Sequence, residues 1–198
     1  MRDNGWNGRS AFKRLATASF VALALLCAPG AAAEAEPLAD AQREGVHLVM
    51  RHAIAPGTGD PASFRIGDCA TQRVLSDEGR EQARAIGERL RKAGVRIDVV
   101  LTSQWCRCRE TAELMDVGPV EDAPFLNSFF RNRDKADAQR QAAVARLREL
   151  TAQGRKALFV THQVNVTGLT GVYPSSGEIV LVAIGEDGGI ETHGSIGE

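Results

Sequence analysis

The sequence predicts an α/β fold, a three-layer sandwich with a mostly parallel central sheet, and three observations predict it. Short apolar runs of strand length, around Val46–Met50, Asp98–Thr102 and Ala157–Thr161, recur along the chain. Stretches with helical periodicity separate them, which is the pattern of a layered α/β domain. Each run stops at a polar cluster: Arg51-His52, Ser103 to Arg107, and Thr161-His162. In such sheets ligands bind beyond the carboxyl ends of the strands, so these clusters mark the candidate site.

The chain has 198 residues, of which 43% are hydrophobic and 25% charged, enough for one domain with its own core. Residues 1–33 stand apart from it. Arg2, Arg9, Lys13 and Arg14 precede an apolar run from Leu15 to Ala28 and then Ala31-Ala32-Ala33. A basic region, a short apolar core and a small-residue exit read as a secretory signal peptide cleaved near Ala33. The run is shorter than the ~20 residues of a membrane span, and Pro29-Gly30 breaks it. Cys27 offers a lipoprotein alternative, but Leu26 stands where a small residue is expected. The expectation is an exported, periplasmic protein with no stable membrane insertion after cleavage. Residues 34–45 read as a polar linker and 46–198 as the folded domain.

Cleavage would remove four basic side chains and one acidic one, taking the net charge from −1 to about −4 with histidine neutral. A mildly acidic chain without a basic tract is a poor nucleic-acid partner, because phosphate neutralisation supplies most of that affinity. A phosphate on this protein is expected to be bound locally, by a few arginines. Beyond the signal segment lie Cys69, Cys106 and Cys108. In an oxidising compartment they allow one internal disulfide, and Cys69 with Cys106 or with Cys108 is the expected pairing, since two residues apart on a helix point in different directions. A zinc site is the competing reading, although the paired C-x-x-C spacing is missing.

The elements follow in order. Val46–Met50 is a buried strand, and 53–75 is a long loop rich in turn chemistry at Pro56-Gly57, Gly59-Asp60-Pro61 and Gly67-Asp68. Ser76 is an N-cap before Asp77 and Glu78, and Ala83, Ile86 and Leu90 recur at helical spacing until Gly94. A strand at 98–102 leads to a helix from Ser103 to about Met115. A short strand at 120–123, an exposed helix over 135–153 and a buried strand at 157–161 come next. A strand at 178–184, a turn at Asp187-Gly188-Gly189 and a return strand close the chain.

Arg51-His52 combines a nitrogen nucleophile with a cation that grips phosphate bidentately. Arg107, early in a helix that follows a strand, faces the same edge together with the helix N-terminus. His162 adds a second histidine at a strand end. Phosphoryl transfer is mostly positioning and charge stabilisation, and these residues suit it. Arg131, Arg133 and Lys135 read as a solvated stretch or as a hold for a second anionic group.

At these positions the sequence resembles the histidine phosphatase (phosphoglycerate mutase-like) superfamily. Leu48-Val49-Met50-Arg51-His52-Ala53 is similar to its nucleophile signature. Leu75-Ser76-x-x-Gly79-Arg80-x-Gln82-Ala83 is similar to its following helix, Ser103-x-x-x-Arg107-x-x-x-Thr111-Ala112 to its second arginine element, and Val160-Thr161-His162 to its second histidine. The resemblance implies a phosphoglycerate mutase-like fold and a phosphohistidine on His52. Arg51, Arg107 and His162 would be the other catalytic residues and would hold the phosphoryl oxygens. It implies no metal and no cofactor, and a small phosphorylated substrate or a phosphoprotein as partner. One departure matters: 124–130 lacks the glutamate that protonates the leaving group in many members, and Gln163 follows His162 in place of an aspartate. Glu178 and Asp68 are the candidate proton donors. A phosphate-binding protein with little turnover and a mutase-type isomerase are the alternative functions.

Overall fold

The structure is a computed structural model and describes residues 37–197. The expected signal segment lies outside the described residues. Six strands form one sheet: β1 (His47–Arg51), β2 (Val99–Thr102), β3 (Val120–Asp122), β4 (Ala157–Thr161), β5 (Ile179–Ile184) and β6 (Ile190–Ile196), in the order β3-β2-β4-β1-β5-β6. The first four are parallel where they pair; β5 runs antiparallel to β1, and β6 returns antiparallel to β5. The carboxyl ends of β1, β2 and β4 therefore share one edge. Register then places the site: Arg51 pairs with Thr161, so His52 and His162 emerge side by side.

Among the described residues, four helices of eight residues or more cover the sheet: α1 (Asp77–Lys92), α2 (Cys106–Met115), α3 (Ala136–Ala152) and α4 (Gln163–Thr170). Successive strand residues point to opposite faces. Leu48, Met50, Val100, Leu158 and Val160 pack with Ala83, Ile86 and Leu90 of α1 and with Cys108, Ala112 and Met115 of α2. Val49, Val99, Leu101 and Phe159 pack on the other face with Leu147 and Leu150 of α3 and Val166 and Leu169 of α4. Both faces of the central strands are buried, which is why their sequences are apolar without alternation. The three-layer α/β sandwich is the observed fold.

The start of α1 follows its sequence signals. Ser76 Oγ accepts the Gly79 N–H at 3.0 Å, Asp77 and Glu78 occupy the first turn, and Arg89, Arg91 and Lys92 the last.

Some elements differ from expectation. The helix expected from Ser103 begins at Cys106, because Ser103 and Gln104 are tied to Asn127: Ser103 Oγ–H donates to Asn127 Oδ1 at 3.2 Å and the Gln104 N–H donates to the same oxygen at 2.9 Å. The helix expected as exposed, α3, buries Ala143, Val144, Leu147 and Leu150. Helix α4 has no clear sequence signal, since Val164, Val166, Thr167, Gly168 and Thr170 are weak helix formers. It is held by burial of Val166 and Leu169 and ends at Gly171 with φ 77°. Within the expected linker, residues 37–42 are helical and Ala41 is fully buried against the core.

Candidate active site

His52 follows β1 and is 2% exposed. Its Nδ1 lies 2.7 Å from the Ala53 carbonyl oxygen, so Nδ1–H donates there and the lone pair is on Nε2. Arg107 Nε–H donates to that Nε2 at 3.2 Å. Burial and the neighbouring Arg107 charge push the His52 pKa down to about 3, which keeps the ring neutral. The turn after His52 is pinned by residues of the helical motifs. The Ala53 N–H donates to Thr111 Oγ1 at 3.1 Å and the Ile54 N–H to Gln82 Oε1 at 2.9 Å. Gly79 allows the close approach, since a Cβ there would lie 2.0 Å from the Ile54 carbonyl oxygen.

His162 follows β4 and is likewise buried. Arg107 Nη2–H donates to its Nδ1 at 3.4 Å, and its Nε2–H donates to Ser103 Oγ at 2.9 Å. Burial, Arg107 and His52 hold its pKa well below the usual histidine value. Arg107 lies in the first turn of α2 and is 3% exposed. Its other bonds go to the 53–75 loop. Nη1 and Nη2 donate to Asp60 Oδ1 and Oδ2 at 2.7 and 3.2 Å, and Nη1 also donates to the Arg73 carbonyl oxygen at 3.3 Å. Burial alone would raise the Asp60 pKa, but the Arg107 bonds and charge, the Trp105 indole and the Arg73 amide outweigh it and lower the value.

These residues open on a cavity of ≈ 230 Å³ whose polar floor is Arg51, His52, Arg107 and His162. Phe64, Trp105, Phe130 and Tyr173 form much of its wall, and Arg73 and Arg131 line it too. Arg51 Nη1 donates to the Pro174 carbonyl oxygen at 3.0 Å, while its Nε is buried with no protein partner. The four sequence-predicted residues are thus together.

The two candidate proton donors do not line the cavity. Asp68 is paired with Arg65 at 2.8 Å on the surface. Glu178 lies near the edge, as the antiparallel β5 requires, and its backbone oxygen accepts the Arg51 N–H at 3.1 Å; but its carboxylate accepts the Ser175 N–H at 2.8 Å. Arg133 and Lys135 also lie off the cavity, whereas Arg131 reaches it and donates to the Asp60 backbone oxygen. Sequence reading missed Asp60, Trp105 and Asn127. Gly59-Asp60-Pro61 was legible only as a turn, and nothing local marks its carboxylate for Arg107.

Cys69 and Cys106 form the disulfide, across 37 residues, and Cys108 is a buried free thiol. The zinc reading loses two of its ligands to that bridge. Among the described residues no cluster of three or more His, Cys, Asp or Glu side chains is placed to hold a metal ion, and no helix is long and apolar enough to cross a membrane.

Residues 48–127 match the model of the histidine phosphatase superfamily (branch 1). Over that stretch, from β1 to the turn beyond β3, the chain is similar to that superfamily. A mitochondrial serine/threonine-protein phosphatase Pgam5 of Drosophila grimshawi is 36% identical over 67 residues, 31% of this chain. That match spans only 23% of the fly protein. The protein histidine phosphatase SixA, solved in complex with tungstate, is 21% identical with a TM-score of 0.56 over 76% of this chain and 96% of its own. The product of open reading frame Rv3214 from Mycobacterium tuberculosis is 18% identical with a TM-score of 0.55 over 78% and 98%. At such identities these two likenesses speak for the fold alone. The chain thus spans nearly the whole of both structures.

Proposed function

We propose that this chain is a metal-independent phosphatase that transfers the phosphoryl group of a monoester or a phosphohistidine to His52 and then to water. The observation that carries the reading is the state of His52: a buried neutral ring whose Nδ1–H is fixed on Ala53, leaving the Nε2 lone pair beside Arg51, Arg107 and His162 in one cavity. The Nε2 lone pair forms the N–P bond while the P–O or P–N bond to the leaving group breaks and that group departs with the electron pair. Water then forms a new P–O bond, the N–P bond breaks, and inorganic phosphate leaves. Arg51 supports the reading with a buried Nε–H free of protein acceptors, a donor suited to a phosphoryl oxygen.

With Glu178 and Asp68 off the cavity, and the Asp60 carboxylate in its wall paired with Arg107 and held ionised by it, the reading favours substrates whose leaving group needs little protonation, such as a phosphohistidine or an aryl phosphate. SixA, a protein histidine phosphatase that shares the fold, supports the same substrate class. We propose export to the periplasm as the setting, which the Cys69–Cys106 bridge supports, since disulfides persist in oxidising compartments. The partner is then a small phosphorylated molecule or a phosphoprotein.

The test is acid-quench trapping of the purified protein with a phosphate-labelled aryl phosphate in the presence of a chelator, with His52→Ala beside it. An acid-labile, base-stable label on wild type that His52→Ala lacks is the expected result. Turnover retained by His52→Ala would reject the mechanism, and binding of phosphate with neither label nor turnover would favour the phosphate-binding alternative.

A further inference from the structure

The Arg107 guanidinium has five N–H groups, and each has a protein acceptor. Nε–H and one Nη2–H face the two histidines, at 3.2 Å from His52 and 3.4 Å from His162. The Nη1/Nη2 end is taken bidentately by Asp60, with the remaining Nη1–H on the Arg73 carbonyl oxygen. Asp60 is itself tightly placed. Its Oδ2 accepts the Trp105 indole N–H at 3.0 Å, its Oδ1 accepts the Arg73 N–H at 3.2 Å, and its side chain is 11% exposed. The ion pair therefore fixes how the guanidinium is turned. Only the Nε/Nη2 side faces His52, and that side is a fork of two donors suited to phosphoryl oxygens on its nitrogen.

We infer that Asp60 is a positioning residue of the phosphoryl site: it grips the far end of Arg107 so that the Nε/Nη2 side is presented to the phosphoryl group on His52. The inference rests on the phosphatase reading above. A guanidinium sits on a long flexible stem, and a displacement on the order of 1 Å at a catalytic group costs roughly a hundredfold in rate. Asp60 prevents that displacement without touching the reacting atoms. Its distance in sequence from Arg107 is bridged by the Cys69–Cys106 disulfide, which fastens the same loop beside the same arginine.

The experiment compares wild type with Asp60→Asn, Asp60→Glu and Trp105→Phe, using p-nitrophenyl phosphate and phenyl phosphate as substrates and inorganic phosphate as a calorimetric ligand. Asp60→Asn is expected to lower kcat/KM about a hundredfold on both substrates. It should also weaken inorganic phosphate about tenfold, although it removes a negative charge from the cavity wall. Asp60→Glu should recover part of both losses, and Trp105→Phe, which deletes one bond to Asp60 and keeps an aromatic, though smaller, side chain, should show a few-fold loss in the same direction. Tighter phosphate with equal or faster turnover in Asp60→Asn would overturn the inference, because Asp60 would then be a competitor for Arg107. A loss on phenyl phosphate that spares p-nitrophenyl phosphate would also overturn it, because it is the mark of a proton donor. If wild type shows no turnover dependent on His52, the phosphatase reading fails, while phosphate calorimetry still decides whether Asp60 positions Arg107.

Discussion

The carboxyl ends of β1 and β4 and the 53–75 loop meet at Arg107, yet different physics holds them. The strand ends are set by a parallel ladder and by burial on both faces; His52 and His162 stand where the register of Arg51 on Thr161 puts them. The loop has little apolar core of its own. It is held by a disulfide, by the Asp60–Arg107 pair, and by Arg73 side-chain bonds to the Gly59 and Ala55 carbonyl oxygens. One side of the site is thus positioned by packing, and the other by a few specific polar and covalent links. Agents that attack one should spare the other.

The largest effect is expected where both regions meet. Arg107→Ala removes the donor shared by His52, His162 and Asp60 and should cost about a thousandfold in kcat/KM on an aryl phosphate. A loss of less than about tenfold in steady-state assays would mean that the strand ends suffice alone.

Acid should break the packed side. Burial and Lys156 push His47 to about 4, burial and Arg107 push His52 to about 3, and His162 is likewise depressed, whereas an unfolded chain titrates near 6.5. The unfolded state therefore binds more protons below that value. Stability is full above about pH 6.5 and lost as pH falls toward 4, with a slope approaching about 4 kcal/mol per pH unit for three histidines. Urea unfolding from pH 7 to 4.5 measures it; a flat profile would contradict neutral burial of these rings.

Removing the bridge should loosen the other side. Cys69→Ala with Cys106→Ala frees a 37-residue connection and is expected to cost about 3–4 kcal/mol in denaturant unfolding. Substrate turnover should fall by about tenfold, mostly through Arg107 alignment, with trapping on His52 retained.

The smallest effects belong to the carboxylates outside the cavity. Glu178→Gln and Asp68→Asn should each stay within about twofold of wild-type kcat at all pH values tested. A loss on poor leaving groups alone would restore either one as proton donor.

The same contrast explains what the sequence made legible. Strand ends declare themselves locally: Leu48 to Met50 followed by Arg51-His52, and Phe159 to Thr161 followed by His162, carry their position in their own pattern. The Ser76 cap, Gly79, Gln82 and Thr111 could be matched as motifs before their shared task, fixing the backbone at Ala53 and Ile54, was visible. Asp60 could not be read, because what gives it meaning is 47 residues away in the chain. Helix α4 was illegible for a related reason: its β-branched and glycine residues oppose helix locally, and Val166 and Leu169 are rewarded only by the sheet.

The leftover thiol has a chemical consequence for the bridge beside it. Thiol–disulfide exchange needs a thiolate, and Cys108 lies two positions from Cys106 on the opposite side of the same helical turn. Burial raises its pKa to about 12, so at neutral pH on the order of one molecule in 10⁵ carries the attacking anion there. The nearest internal nucleophile is thus withheld from the Cys69–Cys106 bond, and once α2 is packed the pairing cannot readily reshuffle from within.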